Sequence, residues 1–489
     1  MRVNLDSHRN RISNILTQKV KFMKWQNLFN GTKKEFEATK LKLVSGELPK
    51  EIKGDFYINT SVMTTRGGKQ NGSWFDGDGA VLRVHLENGE AEGTYKYTRT
   101  KVFVEEEKAD KFLYPTVSNL APGFFNRLKK SWKPANRANT SVYPLSDKLM
   151  ALFDGDTPYE LDLKTLETKG ESNFNGAIGE NEGSGAHIRI DPNTGELFSF
   201  GFDNKDYNNI ILYKFGKDQK FLYKNKIKTA SPPLMTHDIV FAGDYILFWV
   251  FPLKIDILPM FLKLKPPIDS YYWNQKGNSH IYVVRKKDLS LVAEIKSDAN
   301  YFLHFINGFQ SENGALIVDL IEFNNFDVFT KWSKDAVTGN LPDYEVFSTL
   351  VRYELDINEF KVVNKSVLHK DSSYEWPLVK LNLQGKPYDH FFICHGKEDM
   401  LTNQFMKMEI SSGKVTNRKF GPNSYCNEPS FIPSKKNTNF GYLILVVYNG
   451  ELDKSFVHIL DEEKLEDVCV FELPSPIGNC SHGKWKSLV

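Results

Sequence analysis

One pattern recurs along this chain and limits what it can become: an apolar run of strand length, a turn of Asp, Asn, Gly, Lys or Ser, and a second such run. It reads "VLRVHLENGEAEGTYKY", "YELDLKTLET", "HIRIDPNTGELFSFG", "ILYKFGKDQKFLYK", "IYVVRKKDLSLVAEI", "VRYELDINEFKVVN", "MKMEISSGKVTNRKF" and "VHILDEEKLEDVCVFEL". Period-two runs flanking polar turns are β-hairpins. Seven or eight of these units over 81–473, with no long helical periodicity between them, predict an all-β chain built by repetition, a β-propeller. The units are unevenly spaced, so several connections are long. On a propeller, long connections gather on one face and can cover a site there.

Bulk properties narrow the function. With 40% hydrophobic and 13% aromatic residues in 489, the chain can bury a large core and is too apolar to stay disordered. Lys plus Arg number 63 against 61 Asp plus Glu, which leaves no basic field to neutralise a phosphate backbone, so nucleic acid is not an expected partner. The cysteines Cys394, Cys426, Cys469 and Cys480 form no CxxC pair, and a chain of this size needs no staples, so reduced thiols in the cytoplasm are expected. The N-terminal "MRVNLDSHRNRISNILTQKVKFMKW" lacks the apolar stretch of a secretory signal, and no window approaches the roughly 18 apolar residues of a spanning helix. Two connections, 112–132 and 248–273, mix Phe, Leu, Ile and Trp with Lys, Arg and Pro. They read either as buried lids or as amphipathic patches that give peripheral contact with a membrane surface.

Four of the eleven histidines share a setting, within or beside an apolar strand end rich in small residues: His187 in "GSGAHIRID", His237 in "PLMTHDIVF", His304 in "NYFLHFINGFQ" and His482 in "GNCSHGKWKSLV". Intervals of 50, 67 and 178 residues (187 to 237, 237 to 304, 304 to 482) exclude a local motif. A single strand histidine is most often a core residue bonded to a backbone carbonyl. A propeller axis, however, faces the innermost strand of every blade and brings distant residues to one point. Four neutral imidazoles there would suit iron, copper, nickel or zinc.

The ordered set "GDFYINTS", "SWFDGDGAVLRV", "ANTSVYPLSDKLMALFDGDTPYELDLKTLET", "GSGAHIRIDPNTGELFSFG", "MTHDIVFAGDYILFW", "FLHFINGF", "EWP", "CNEPSFIPS" and "SHGKW" resembles the carotenoid cleavage oxygenase family. The resemblance implies a seven-bladed β-propeller with long loops and short helices capping one face. Residues 46–489 would form this single catalytic domain, and 1–45 an N-terminal extension packed on it. It further implies Fe(II) on the axis, held by His187, His237, His304 and His482. Glu375 and Glu428 match two of the family's three glutamates that accept from ring N–H groups and fix their orientation. At the third place stands Asp154, shorter by one methylene, about 1.5 Å of reach along an extended stem. The contact, expected to go to His237, would then require a closer histidine, a bridging water, or be missing.

The implied reaction is dioxygenase cleavage of a conjugated carbon–carbon double bond by O2, giving two carbonyl products. The favoured substrate is a lipophilic polyene, a carotenoid or apocarotenoid. Cleavage of hydroxystilbenes such as lignostilbene or resveratrol is the alternative, and an inactive lipophile-binding propeller is a third reading. The stilbene branch binds a phenol with a tyrosine and a lysine, for which Tyr97 and Lys133 are the nearest residues here.

Overall fold

The computed structural model describes residues 24–29, 31–62, 65–130, 133–323, 326–339, 348–396, 401–435 and 440–488. Apart from two two-stranded ribbons, its antiparallel pairings group into seven units, and each hairpin quoted above lies within one of them. Blade I contains Asn479–Ser487, Gly54–Val62, Asp78–Glu87, Glu90–Tyr97 and Phe36–Lys40, in spatial order. Blade II runs from Ser141–Pro144 to Thr168–Glu171, blade III from Glu182–Ile190 to Phe221–Lys228, and blade IV from Val240–Ala242 to Leu291–Asp298. Blade V begins at Phe305–Gln310 and ends in the first part of Lys361–Leu378; the second part of that long strand opens blade VI, which ends at Val415–Lys419. Blade VII holds Ser424–Cys426, Ser430–Pro433, Gly441–Asn449, Lys454–Asp461, Asp467–Glu472 and Lys42–Gly46.

Two strands from near the chain's start and one from its far end close the ring. Lys42–Gly46 adds an outer strand to blade VII, and Asn479–Ser487 adds the inner strand of blade I by pairing with Gly54–Val62. The segment expected as an N-terminal extension therefore supplies Phe36–Lys40 and Lys42–Gly46 to two blades, while its first 23 residues lie outside the described ones.

Hydrophobic cores fill the spaces between blades. Successive side chains of a strand point to opposite faces, so each strand serves two cores. Phe391 and Ile393 pack toward blade V with Ile306, Ile321 and Leu350, while Phe392 and Cys394 pack toward blade VII with Leu443, Leu445 and Val447. The same division joins blades I and II, II and III, III and IV, IV and V, and VII and I. Because both faces are covered, strands such as "YILFWV" and "GYLILVVYN" read as continuous apolar runs instead of alternating ones.

Short helices at 26–29, 101–109, 124–129, 257–261, 267–270 and 333–338 lie in the long connections. An aromatic cluster of Trp25, Phe29, Trp74, Tyr425 and Tyr448 packs the first of these against Ala336 and Val337 of the last. Leu445→Ala, between blades VI and VII and fully buried, should lower unfolding free energy by about 2–5 kcal/mol in urea denaturation. Leu452→Ala at an exposed turn should change it by less than about 0.5 kcal/mol.

Candidate metal centre

The innermost strands of the blades are irregular where chemistry is placed. His187 lies where Glu182–Ile190 slips register between Ser184 and Ile188, and His482 where Asn479–Ser487 carries an extra residue opposite Ile58–Thr60. Such bulges re-aim a side chain that a regular strand would point into a core. His237 and His304 stand just ahead of the inner strands Val240–Ala242 and Phe305–Gln310, so they too reach the axis from strand ends. Glu375 sits at a bulge in which Trp376 and Pro377 together face Ile393, with Trp376 at φ +61°. Proline has no N–H for the ladder, so a bulge is where it fits in a sheet. Glu428 lies in the break between Ser424–Cys426 and Ser430–Pro433, again just before a proline.

The structure brings the four imidazoles together. One ring nitrogen from each lies within 4.8 Å of all the others. His187 Nε2 and His237 Nε2 are 3.1 Å apart, as are His304 Nε2 and His482 Nε2. The outer nitrogens meet carboxylates: His237 Nδ1 is 2.6 Å from Asp154, His304 Nδ1 is 2.5 Å from Glu375, and His482 Nδ1 is 3.3 Å from Glu428. An Nδ1–H that donates to a carboxylate leaves the lone pair of a neutral ring on Nε2. The Nε2 lone pairs of His237 and His304 are thereby fixed toward the axis, His482 Nδ1 stands within ion-pair distance of Glu428, and a cation satisfies the converging nitrogens. Adjacent nitrogens held at about 2.1 Å from one ion lie about 3 Å apart, which the two 3.1 Å separations match. The donor set thus fits a borderline divalent metal.

Asp154 makes the direct contact despite its shorter stem. Its other oxygen accepts from Ala186 N at 2.7 Å. The turn that carries it is stapled to the inner strand of blade III by Gly155 N to Ser184 O (2.7 Å) and Ser184 N to Asp156 O (3.0 Å). Gly183 permits this approach, since a Cβ there would lie 2.2 Å from the Gly155 carbonyl.

Burial and mutual repulsion set the ring charges. Burial, then the three other imidazoles, push His187 well below its ordinary range, and burial brings His482 down to about 4. Burial also opposes a charge on His237, but the anionic Asp154 outweighs it and raises that ring. Glu428 is held at about 2: burial pushes it up, and Lys484, His482 and the Gly483 N–H overcome that. The other described histidines join nothing here. His85, His280 and His458 pair with Asp55, Glu294 and Asp467; His369 contacts Tyr374; and His395 contacts Ser372 and Asn417.

A cavity of about 1020 Å³ reaches the centre, lined by Phe75, Phe202, Leu303, Phe329, Trp332 and Trp376 among others. Trp376 packs its ring against both His304 and His482. Lys133 lines the cavity as well and donates to Asn204 at 2.9 Å, its ammonium lowered by burial. Tyr97 does not: it is buried in blade I, its hydroxyl bonded to the backbone of Lys33. Trp376, Met235 at φ +60° beside His237, and the Asp238–Arg189 pair behind His187 were not marked as site residues by the sequence. The "EWP", "MTHD" and "AHIR" strings carry them, but only the fold shows what they face.

The family described as Retinal pigment epithelial membrane protein matches residues 29–487. The chain belongs to this family. Apocarotenoid-15,15'-oxygenase of Synechocystis is 25% identical to this family member over 464 residues, 90% of this chain and 92% of the relative. Carotenoid cleavage oxygenase 1 of Neurospora crassa is 25% identical over 92% of this chain and 88% of its own. Resveratrol cleavage oxygenase 1 of Aspergillus fumigatus is 25% identical over 90% and 91%. The crystal structure of cobalt-substituted Synechocystis ACO superposes with a TM-score of 0.87 over 95% of this chain and 98% of its own, at 23% identity, and has the same fold. The named relatives are oxygenases, of carotenoids or apocarotenoids in the first two and of resveratrol in the third.

Two outcomes test the centre. Asp154→Ala should weaken binding of a divalent metal about 10- to 100-fold in a chelator competition. Asp154→Glu should give no gain, because both oxygens of the aspartate are already placed. In the metal-free protein the depressed His482 takes up its proton in the unfolded chain near pH 6.5 but in the folded one only near 4. Its contribution to stability, up to about 3 kcal/mol, is full above pH 6.5 and is lost as pH falls toward 4. Denaturant titrations across that window should show the loss, with a shallower slope in His482→Ala.

Proposed function

We propose that this chain is an Fe(II) dioxygenase that cleaves a conjugated double bond of a carotenoid or apocarotenoid, with iron held by His187, His237, His304 and His482. The observation that carries the reading is a mostly apolar cavity of about 1020 Å³ that reaches four imidazoles whose ring nitrogens converge. When bound there, iron supplies the activation of O2 that an unassisted polyene lacks. The protein's own groups do the rest. Asp154 and Glu375 hold two rings in the tautomer that leaves Nε2 free, and with Glu428 their charges would offset a dipositive ion held by the imidazoles. Phe75, Phe329 and Trp332 exclude water and confine a flat conjugated chain, so that one bond lies over the axis.

Relatives named for carotenoid, resveratrol and isoeugenol chemistry match at about the same identity, so likeness alone does not choose the substrate. Cavity size favours the polyene, because a stilbene would leave most of it empty. Tyr97, bonded to Lys33 inside blade I, does not join Lys133 as a phenol-binding pair. Lys133 then offers a donor to an oxygenated end group.

The two apolar connections support a lipid-borne substrate delivered from a membrane surface. Phe124, Phe125 and Leu128 of one, and Ile257, Leu258, Phe261 and Leu264 of the other, are each at least 60% exposed. Lys263 ties the two together by donating to the carbonyls of Arg127, Leu128 and Lys130. Ile257, Met260 and Phe261 also line the cavity, so its mouth opens on this patch. No helix among the described residues is long and apolar enough to cross a membrane, and an apolar patch rimmed by lysines suits docking in the interface.

Incubating iron-loaded protein in air with a full-length carotenoid, apocarotenals and hydroxystilbenes should yield polyene aldehydes, identified by mass. Phenolic aldehydes alone would transfer the assignment to stilbenes, and no product from an iron-replete sample would favour a lipophile-binding propeller. Phe125→Asp with Leu258→Asp should reduce co-sedimentation with anionic phospholipid vesicles several-fold while leaving metal content unchanged. Unaltered sedimentation would show that the patch does not dock.

A further inference from the structure

His187 differs from its three companions. His237, His304 and His482 each turn Nδ1 to a carboxylate within 3.3 Å, whereas the nearest carboxylate oxygen recorded for His187 Nδ1 is Asp238 Oδ1, at 3.8 Å. That carboxylate is fully engaged elsewhere. Arg189 Nη2 donates to both of its oxygens, at 2.7 and 2.5 Å, while Ile239 N donates to Oδ1 at 2.8 Å and Phe305 N to Oδ2 at 3.2 Å. Arg189 Nε donates in turn to Ile239 O at 2.9 Å. Asp238 is 3% exposed.

The positions of these partners along the chain give the contacts their meaning. Arg189 is two residues beyond His187 on the same inner strand, Asp238 directly follows His237, and Phe305 directly follows His304. One buried carboxylate therefore binds the segments that carry three of the four imidazoles, and these belong to blades III, IV and V. A buried ion pair of this kind is weak evidence for stability, because desolvation opposes its Coulomb gain, but it does specify geometry when every atom is satisfied. The bonds that carry it here run between blades, beside the contacts of Asp154 with His237 and Ala186, and they add the third segment, that of His304.

We propose that Asp238, clamped by Arg189, is a positioning residue of the metal centre: it fixes His187, His237 and His304 relative to one another without touching the ion. The proposal rests on the reading of the four imidazoles as a metal site. It also makes His187 the donor least polarised from behind, since the charge it faces is already paired with a guanidinium.

The test uses Co(II), whose visible bands report the arrangement of its donors. Asp238→Ala and Arg189→Met should each weaken Co(II) binding about 10- to 100-fold and change the band positions or intensities, and Arg189→Lys should recover part of the affinity. Thermal midpoints measured alongside separate this from a structural role alone, which would lower the midpoint while the folded fraction binds Co(II) with the wild-type affinity and spectrum. Arg189 is partly exposed on its side chain, so its substitution keeps the test available if Asp238→Ala does not fold. A folded Arg189→Met protein with wild-type affinity and spectrum overturns the assignment of Asp238 and leaves the metal site standing. Wild-type protein that binds no Co(II), or binds it equally well after His187→Ala and His304→Ala, overturns the metal reading itself.

Discussion

The pairing of Asn479–Ser487 with Gly54–Val62 fixes everything at the axis, because it sets the register in which the ring closes. Seven cores lie between blades, and each is shared, so none can be completed until its neighbours are in place. A slip of one residue in a strand exchanges its two faces. In a sheet covered on both sides, that would send the side chains of one core into the other. The closing strand carries His482, and its extra residue opposite Ile58–Thr60 turns that ring out of the sheet and onto the axis. The same irregularity serves His187. The ring of imidazoles is thus made of departures from strand geometry, held in position by the regular pairing around them.

Charge at the centre follows from this placement. Nitrogen donors brought into a buried channel are kept neutral by desolvation and by each other, as the lowered His187 and His482 show. Carboxylates behind His237 and His482 act in the opposite sense, most clearly at His237, where Asp154 prevails over burial. The outcome is a pocket of aligned lone pairs with negative charge one layer out. Asp154 shows how the layer tolerates a shorter side chain: the backbone around Gly155 and Gly183 moves the carboxylate to the ring, and the stem need not reach.

Much of this was legible in the sequence where the cause is local. The hairpin at "ENGE" is an example: Asn88 and Gly89 both adopt positive φ, as a two-residue turn between right-twisted strands requires, and asparagine with glycine states that need directly. The four histidines were legible as a set only through the resemblance, since nothing in their intervals says that blades I, III, IV and V supply them. What stayed hidden depends on register across blades. Trp376 read as part of a motif but not as the ring that packs on His304 and His482. Asp238 read as the residue after a histidine, and its bonds to Arg189 and Phe305 exist only once three blades are side by side. Whether Asp154 could reach His237 depended on how closely one turn approaches one strand, a distance that no residue type encodes.

The closure of blade I also has a kinetic side. Its contacts, such as Ile58 with Gly483 and Thr60 with Cys480, join residues more than 400 positions apart in the chain, and pairings so distant in sequence are the slowest to form. Until they do, Gly54–Val62 presents an unpaired edge and the axis has three of its four imidazoles. A propeller of this design completes its cluster of four imidazoles only when the ring closes, so a metal held there as proposed would add its binding energy to that closing step.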